Sequence, residues 1–278
     1  MTSSVVDLHL HTTASDGRLS PTNLVQLLVA RGIRIAAITD HDTTDGLDEA
    51  LAEASRYSDL TIIPGIELSA DVPGTEVHML GYFMDYRDVN LQRSLVKFRK
   101  GREERAQQVV KKLADMGLPL DWAQVQSFAQ GVVGRPHIAQ AMVESGYVAT
   151  FREAFDRYLG RDGSVYSERA KLSPEDAVAL IRSAGGFAVL AHPIYTDNYR
   201  QLLPKLRQIG LIGMEVYYST LSVAAIGELR DVVLAEGLFP CGGSDFHGVG
   251  TSDEAQPGQA GPPLEIGEQL LAMMRAHS

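Results

Sequence analysis

Short runs of β-branched and other apolar residues alternate with helical patterns over most of this chain. Between residues 5 and 83 the strand-like runs are VVDLHL, IAAITD, TIIPGIEL and EVHMLGYF, and helical segments separate the first three. Such alternation is typical of β/α units built on a parallel sheet. Ser20 and Pro21 form a helix-start signal after the first run, and Gly32 lies where a helix-ending glycine is expected. We therefore predict an α/β fold with a parallel sheet.

The strand signal stops in the middle of the chain and resumes later. The middle stretch shows only helical patterns, after which alternation returns with a helix that begins at Ser173 and with the runs FAVLAHP, IGMEVYY and LFPCGGSDFH. The two halves supply about seven strands, enough for a β/α barrel that closes across the middle stretch. We predict a barrel domain of residues 1–86 and 166–278 and an inserted small helical subdomain of residues 87–165.

Charge and cysteine content narrow the possible functions. The 278 residues carry a formal net charge of -10, which argues against broad non-specific nucleic-acid binding. Any phosphate-bearing ligand must therefore be recognised locally. Cys241 is the only cysteine, so we expect no intrachain disulfide, a small core residue and a reducing compartment. Because no signal-type segment or run of ~18 apolar residues occurs, we expect a cytoplasmic protein with no membrane association.

Two pairs of polar residues suggest a metal site. His9 and His11 lie two apart in an extended run, so both imidazoles point to one side of a strand and can reach one ion. Asp245 and His247 repeat this spacing after an apolar run that ends in two glycines, which leave room for the backbone. A single His-x-His pair is more often a surface or core feature. Two such pairs at opposite ends of the chain favour one shared site.

Further candidate ligands follow other predicted strands: His41, Glu67, His78 and His192, with Asp16 in the first loop. We expect the first four at or near the carboxyl ends of strands, where β/α barrels build active sites. Six imidazoles and three carboxylates suit two or three divalent ions with a position open for water or substrate. Without thiolates, Mn²⁺, Zn²⁺ or Fe²⁺ is favoured over Ca²⁺ or Mg²⁺. The flanking Asp7, Asp40 and Asp42 either orient imidazoles or only cap strand ends and loops.

The motifs HLH, Asp16, TDHD, GIE, AHP and GSDFH, in this order and spacing, resemble the polymerase and histidinol phosphatase (PHP) family over nearly the whole chain. The resemblance implies a distorted (β/α)7 barrel that hydrolyses phosphate esters at a trinuclear metal centre, with Mn²⁺ as the expected ion. It implies one ion at His9, His11, Asp245 and a bridging Glu67, a second at Glu67, His78 and His192, and a third at Asp16, His41 and His247. We further predict catalytic roles for Asp245, which would take a proton from the attacking water, and for His192 and His247.

The helical insertion resembles one subgroup of this family. That subgroup removes the 3'-phosphate from nucleoside 3',5'-bisphosphates and includes exonucleases that trim RNA from 5' to 3'. The segments KFRKGREERA and GRPHIAQ carry the match, and residues 93–112 contain eight Lys or Arg against two Glu. Arginine suits bidentate phosphate contacts. The substrate contacts expected on this basis are Arg99, Arg102, Arg105, Arg135 and His137. A solvated helix face, and local capping at Arg135 and His137, are the other interpretations.

Three other functions stay open. A phosphatase of another small monophosphate, such as histidinol phosphate, would need no second phosphate site. A non-catalytic metal-binding PHP module would be expected to lose ligands, whereas this chain keeps all nine. A nucleic-acid-binding role for the basic helix is disfavoured by the acidic total charge and by the lack of an aromatic-rich surface in that segment. The partners we expect are a nucleotide bisphosphate and short single-stranded RNA, with no obligate protein partner evident.

Overall fold

Seven strands follow one another in chain order around a single sheet. The computed structural model describes residues 4–72, 75–129, 131–167, 172–250 and 254–277, and within these ranges ten α-helices accompany the strands. The strands are β1 (Val6–Asp7), β2 (Ile35–Ile38), β3 (Thr61–Val72), β4 (Thr75–Tyr82), β5 (Phe187–Leu190), β6 (Leu211–Tyr218) and β7 (Phe239–Gly243). The helices are α1 (Pro21–Ala30), α2 (Leu47–Ala54), α3 (Val89–Asp115), α4 (Trp122–Ser127), α5 (Arg135–Glu144), α6 (Phe151–Ala154), α7 (Pro174–Ser183), α8 (Tyr199–Gln208), α9 (Val223–Ala235) and α10 (Leu264–His277).

One strand runs against the predicted direction. The neighbours of β4 are both antiparallel to it, whereas the other neighbouring strands pair in parallel. The prediction of a parallel sheet is therefore wrong for β4. The connection explains this, because β3 ends at Val72, β4 begins at Thr75, and these two residues are paired. A link this short can join only antiparallel strands, since a parallel pair needs a crossover of about a dozen or more residues.

The sheet curves until its two edges meet. The Leu8 amide donates a hydrogen bond to the Gly242 carbonyl at 3.2 Å, and the Asp245 amide donates to the His9 carbonyl at 3.0 Å. These bonds join the segment that follows β1 to the end of β7 and the residues beyond it. The architecture is the predicted seven-stranded α/β barrel, nearly closed.

Strand residues alternate between two hydrophobic layers. In β2, Ile35 and Ala37 pack with other strand residues and α10, whereas Ala36 and Ile38 pack in a layer that includes the outer helices. This follows from the two-residue period of a strand. Cys241 is buried in the layer that includes α10, as the sequence predicts. Among the helices of the described ranges, none combines the length and apolar character needed to cross a membrane.

Local signals in the sequence place two of the helices as predicted. The Ser20 hydroxyl accepts the Asn23 amide at the start of α1, and the Ser173 hydroxyl accepts the Asp176 amide at the start of α7. Both helices begin with a proline, the residue best suited to a first turn. After α1, Gly32 adopts a φ of 70°, the left-handed conformation that ends many helices.

The middle stretch of the chain is helical and has a hydrophobic cluster of its own. This cluster draws on α3, α4, α5 and α6 and extends to Val165. The first half of α3 packs instead on the barrel through Leu91 and Leu95, while its second half joins the separate cluster through Val109 and Leu113. The helix α3 thus connects the barrel to the helices α4, α5 and α6 of the middle stretch. The boundaries of the inserted subdomain stay predictions.

Candidate metal centre

The side chains of all nine predicted ligands meet at one end of the barrel. They come from the segment after β1, the loop before α1, the ends of β2, β5 and β7, and positions within β3 and β4. In that order they are His9 and His11, Asp16, His41, His192, Asp245 and His247, Glu67 and His78. Residues that are distant in sequence are therefore neighbours, and the rings of His11 and His247 stack with centroids 4.1 Å apart.

Among the candidate ligands, Glu67 has the largest number of contacts between a carboxylate and imidazole rings. Its Oε1 lies 2.8 Å from Nδ1 of His78 and 3.0 Å from Nε2 of His192. Its Oε2 lies 3.0 Å from Nδ1 of His41. The two oxygens face different imidazoles, and Glu67 belongs to two of the groups of side chains that could hold an ion.

Asp245 forms a second meeting point. Its Oδ1 lies 3.1 Å from Nε2 of His11 and 3.2 Å from Nε2 of His9. The same two nitrogens each lie 3.3 Å from Oε2 of Glu67. The Tyr218 hydroxyl donates a hydrogen bond to Oδ2 of Asp245 at 2.7 Å and so holds this carboxylate in place. Two imidazole nitrogens and two carboxylate oxygens thus surround one position.

Asp16 completes a third group. Its Oδ1 lies 3.4 Å from Nε2 of His247, and its Oδ2 lies 3.8 Å from Nε2 of His41. The three groups able to hold an ion are His9, His11, Glu67 and Asp245; His41, Glu67 and His78; and His11, Asp16, His41 and His247. They agree in part with the groups that the family resemblance implies. In the second group His41 stands where His192 was expected, although Nε2 of His192 lies 3.0 Å from Oε1 of Glu67.

Buried atoms without hydrogen-bond partners fit the presence of cations. Within the described ranges these include Nε2 of His9 and Nδ1 of His41, which lie 3.3 and 3.0 Å from the likewise unpaired Oε2 of Glu67. Nδ1 of His11 is also unpaired and lies 3.8 Å from Asp16. In His78 and His192 the unpaired nitrogen is the one that does not face Glu67. Buried polar atoms that stay unpaired cost free energy. Ligand atoms that each lie about 2.0–2.2 Å from one ion are separated by about 3 Å. This is close to the 3.0–3.3 Å between Oε2 of Glu67 and the nearest nitrogens of His9, His11 and His41. The donor set therefore fits divalent ions, and its mixture of imidazole and carboxylate suits Mn²⁺, Zn²⁺ or Fe²⁺.

Burial and mutual charge shift the pKa values of these side chains. Burial would raise the pKa of Glu67, but the surrounding imidazoles lower it well below its ordinary value. Burial opposes protonation of His78 and His247, yet the carboxylates of Glu67 and Asp16 raise their pKa values to about 9 and about 10. Burial and the charge of His247 lower the pKa of His11 to about 3. Taken alone, these side chains combine ionised carboxylates with protonated and neutral imidazoles.

Unusual backbone geometry positions two of the candidate ligands. Asp245 and His192 have φ angles of 56° and 21°, which residues with side chains adopt only at some cost. A Cβ added to Gly243 would lie 2.4 Å from the backbone nitrogen of His9, and one added to Gly242 would lie 2.2 Å from a backbone oxygen of β6. The two glycines therefore give the backbone the room that the sequence suggested.

The position of His78 corrects the prediction that every candidate follows a strand. His78 lies in the first half of β4 rather than near its carboxyl end. Because β4 is antiparallel, its first half reaches the barrel end at which the parallel strands finish. Glu67 lies inside β3, which pairs with β2 first and then continues alongside β4. Glu67 and His78 therefore lie at the candidate metal centre from positions within strands, which the alternation of strands and helices in the sequence did not predict.

Sequence reasoning missed Glu215, a fully buried residue of β6. Its oxygens lie 3.1 and 3.2 Å from Nδ1 of His9, and Oε2 accepts a 2.7 Å hydrogen bond from the His192 amide. A carboxylate at Nδ1 keeps a proton there and leaves Nε2 available as a ligand. The signal in the sequence was a single glutamate within the apolar run IGMEVYY.

The acidic residues suggested for orienting imidazoles have other partners. Asp7 accepts two hydrogen bonds from backbone amides that follow β7, and burial raises its pKa to about 6. Asp40 accepts hydrogen bonds from an amide and two hydroxyls of the loop between β1 and α1. Asp42 pairs with Arg102. The interpretation that these acids cap strand ends and loops agrees better with these contacts.

A cavity of about 180 Å³ opens onto the candidate ligands. Its wall contains Asp16, His41, His78 and His247 together with Arg102, Arg105 and Arg135. Three of the arginines proposed to contact substrate thus share a cavity with the candidate metal centre. Arg102 is buried, where its guanidinium pairs with Asp42 and donates a 2.5 Å hydrogen bond to Ser69.

Glu76, which sequence reasoning also missed, connects the other two arginines. Its Oε2 lies 2.6 Å from Nη2 of Arg135, and its Oε1 lies 3.6 Å from Nη1 of Arg105. Burial would raise the pKa of Glu76, but Arg135 and its neighbours lower it well below its ordinary value. Glu76 and His78 are two apart in β4, so the spacing rule that selected His9 and His11 applies to them as well.

Arg99 and His137 lie outside the wall that the structure describes for this cavity. Nη1 of Arg99 lies 3.2 Å from the Thr43 hydroxyl and 3.3 Å from Asp45, so this guanidinium contacts the loop after β2. Three residues fall about 60° short of a full turn of an α-helix. Arg99 and Arg105 are six residues apart, so they point in directions that differ by about 120°. His137 is buried, accepts the Gly134 amide at Nδ1 and lines a neighbouring cavity.

A family model and individual sequence relatives both match this chain. The family model for the PHP domain matches residues 7–159. The chain is 36% identical over 253 residues to a 3',5'-nucleoside bisphosphate phosphatase from Chromobacterium violaceum. This match covers 88% of each of the two chains. It is also 36% identical over 252 residues to a 5'-3' exoribonuclease from Haemophilus influenzae, a match that covers 87% of this chain and 89% of the relative.

A solved structure agrees with the fold over almost the full length. The structure of an amidohydrolase from Chromobacterium violaceum with bound sulfate superposes with a TM-score of 0.89 at 31% sequence identity, covering 99% of this chain and 97% of the other. The agreement includes the barrel and the helical middle stretch. The chain therefore belongs to the PHP family and is a hydrolase of the metal-dependent phosphoesterase class.

Proposed function

We propose that this protein removes the 3'-phosphate from nucleoside 3',5'-bisphosphates and releases a nucleoside 5'-monophosphate and phosphate. The observation that carries this proposal is a single cavity whose wall combines candidate metal ligands with Arg102, Arg105 and Arg135. A substrate with two phosphates needs two regions that attract anions, and this cavity offers both. The named activity of the bisphosphate phosphatase relative supports the same substrate class.

The candidate ligands would hold two or three divalent ions, with Mn²⁺ as the expected one. When bound, such ions neutralise phosphate oxygens and make water more acidic. Asp245 would accept the proton of the attacking water, and the Tyr218 hydroxyl holds it for this role. Burial opposes ionisation of Asp245, but the imidazoles of His9 and its neighbours lower its pKa well below the ordinary value. We also assign His192 and His247 to catalysis.

The second phosphate would lie against the arginines. Arg105 and Arg135 would contact the non-reacting 5'-phosphate, and Glu76 fixes both guanidinium groups before substrate binds. Binding at this remote phosphate would orient the 3' ester for attack. The first nucleotide of a 5'-phosphorylated RNA carries a 5'-phosphate and, in place of the 3'-phosphate, a phosphodiester to the next nucleotide. Attack of water on that diester would release a nucleoside 5'-monophosphate and leave a 5'-phosphate on the shortened RNA, so we propose 5'-to-3' trimming of short RNA as a second activity of this site. The exoribonuclease relative supports this activity.

Phosphate and nucleotide release by the Mn²⁺-loaded protein would test the proposal. The substrates are adenosine 3',5'-bisphosphate, AMP, histidinol phosphate and a short 5'-phosphorylated RNA. We expect preference for the bisphosphate, with AMP as the product, and release of mononucleotides from the RNA. Preference for histidinol phosphate or AMP would replace the substrate assignment with that of a simple monophosphatase. No turnover of any substrate would favour the non-catalytic module.

The Arg135→Ala variant tests the second phosphate site. Loss of a charge-assisted contact should lower kcat/KM for the bisphosphate by about 10- to 100-fold, while hydrolysis of an aryl phosphate should change by less than about threefold. Arg99→Ala is the matched control, because Arg99 pairs with Asp45 away from the cavity. Equal losses on both substrates would remove the second phosphate from the proposal.

A further inference from the structure

A second cavity of about 180 Å³ adjoins the one at the candidate metal centre. The two share Asp16, Pro136, Phe155 and His247 as wall residues, so they are direct neighbours. Each is smaller than the roughly 300–1,000 Å³ typical of a site for a whole small-molecule ligand, so neither alone suits a complete nucleotide. The roles assigned so far place two phosphates in the first cavity and leave the base without a site.

We propose that this second cavity binds the nucleobase of the substrate by stacking it on phenylalanine rings. This inference rests on the proposed function and extends it. Phe128 follows α4, Phe151 begins α6, and Phe155 follows α6, so three segments each contribute one ring to the wall. All three rings are half-buried and pack on the hydrophobic cluster of the middle stretch. Rings supported in this way are suited to stack with bases, since every base has a π face.

Two cations add to the aromatic surface. The guanidinium carbon of Arg18 lies 5.2 Å from the centre of the Phe151 ring, and that of Arg135 lies 6.0 Å from the centre of the Phe155 ring. Arg135 also forms part of the wall of the first cavity. The arginine proposed to hold a phosphate is therefore next to a ring proposed to hold a base, as the covalent structure of a nucleotide requires.

Several polar groups of this cavity already have hydrogen-bond partners. The side-chain amide of Gln140 accepts a hydrogen bond from Arg18 at 3.2 Å and donates one to Glu144 at 3.2 Å. Nδ1 of His137 accepts the Gly134 amide, and burial lowers the pKa of His137. The hydrogen-bonding capacity that Gln140 and His137 can offer to the edge of a base is therefore reduced. Recognition by stacking predicts that the four common bases differ in kcat/KM by less than about tenfold, with purines preferred.

The test compares adenosine 3',5'-bisphosphate with 1-O-methylribose 3,5-bisphosphate, which lacks the base. Wild-type protein should prefer the nucleotide by about 5- to 100-fold in kcat/KM, the range expected for one base–aromatic stack. The double variant Phe128→Leu/Phe151→Leu keeps the side chains apolar but removes their rings, and of the two cavities these residues line only the second. It should lose most of this preference without losing activity on the abasic substrate. Phe98→Leu, a half-buried phenylalanine of α3 that packs on the barrel, is the control.

Binding of the product separates failure of this inference from failure of the proposed function. Calorimetry with AMP and with ribose 5-phosphate should show tighter binding of AMP to the wild-type protein, by at least about fivefold, but not to the double variant. Equal use of the two bisphosphates, or equal binding of the two monophosphates, would overturn the base site and leave the phosphatase proposal standing. If neither bisphosphate is hydrolysed, the phosphatase proposal fails and the binding result alone decides the base site.

Discussion

The carboxylate of Glu215 lies 3.1 Å from Nδ1 of His9, and both side chains are fully buried. This contact directs Nε2 of His9 towards Asp245 and Glu67, which lie 3.2 and 3.3 Å away. A residue outside the nine candidate ligands thus sets the orientation of one of them. Carboxylate partners of this kind raise the basicity of an imidazole ligand and fix its tautomer.

Replacing Glu215 with glutamine should weaken Mn²⁺ binding by about 10- to 100-fold, because the side chain keeps its shape but loses the charge that holds His9. Competition with a fluorescent chelator would measure the affinity. Glu228→Gln on the exposed face of α9 is the matched control. Unchanged affinity in a folded Glu215→Gln protein would contradict the positioning role.

Asp245→Asn should lower kcat for the bisphosphate by about 10²- to 10⁴-fold, since the amide cannot accept a proton from water. Metal content measured on the same samples separates this effect from loss of a ligand. Asp231→Asn on α9 serves as the control with an exposed acid. A loss of less than about tenfold in a fully loaded variant would assign the proton to another group.

Metal affinity should rise with pH between about pH 6.5 and 9. The pKa values of His78 and His247 are raised to about 9 and about 10, so protons compete with the ions across this interval. Each imidazole that must lose a proton adds about tenfold in affinity per pH unit. Calorimetry in buffers of different ionisation enthalpy would count the protons released. Binding without proton release at pH 7 would show that these imidazoles are neutral or are not ligands.

The free energy of unfolding of the metal-free protein should fall as the pH rises, in contrast to the metal affinity. A histidine whose pKa is higher in the folded state stabilises fully below the unfolded value near 6.5, and this contribution is lost as pH rises through the folded value. For His78 and His247 that loss falls between about pH 6.5 and 10. Urea unfolding of chelator-treated protein at pH 6.5 and 9 would measure it. Equal stability at both values would contradict the shifts.

Arg102→Met should reduce the free energy of unfolding by about 3–5 kcal/mol, because it leaves Asp42 buried without its charged partner. This makes Arg102 a poor probe of substrate binding and Arg135 a better one. Urea unfolding would measure the change, with Lys100→Met on the exposed side of α3 as the control. The control should cost less than about 1 kcal/mol. A similar small cost for Arg102→Met would show that the pair contributes little.

Much of the candidate centre could be predicted because its signals are local. The two-residue spacing of His9 and His11 places both on one side of an extended segment whatever the rest of the chain does. Polar residues after apolar runs mark strand ends, and a barrel brings those ends together. Helix starts at Ser20 and Ser173 likewise depend only on neighbouring residues. These rules select candidates, and their metal and substrate roles stay predictions.

Other features depended on contacts between distant residues. Glu215 meets His9 across 206 positions of sequence, and no local pattern distinguishes it from any other acid in an apolar strand. The same helix carries Arg99 and Arg105, yet packing of α3 on the barrel decides that only the second reaches the cavity. The aromatic cavity assembles from segments that individually look like ordinary core.

The sequence by itself therefore determined the α/β class, the helical middle stretch and the set of candidate ligands, because periodicity and capping act over a few residues. Only the tertiary structure decided the direction of β4, the carboxylates that orient ligands and arginines, and the walls of the two cavities. These follow from barrel closure, which brings into contact residues whose separation along the chain carries no local signal.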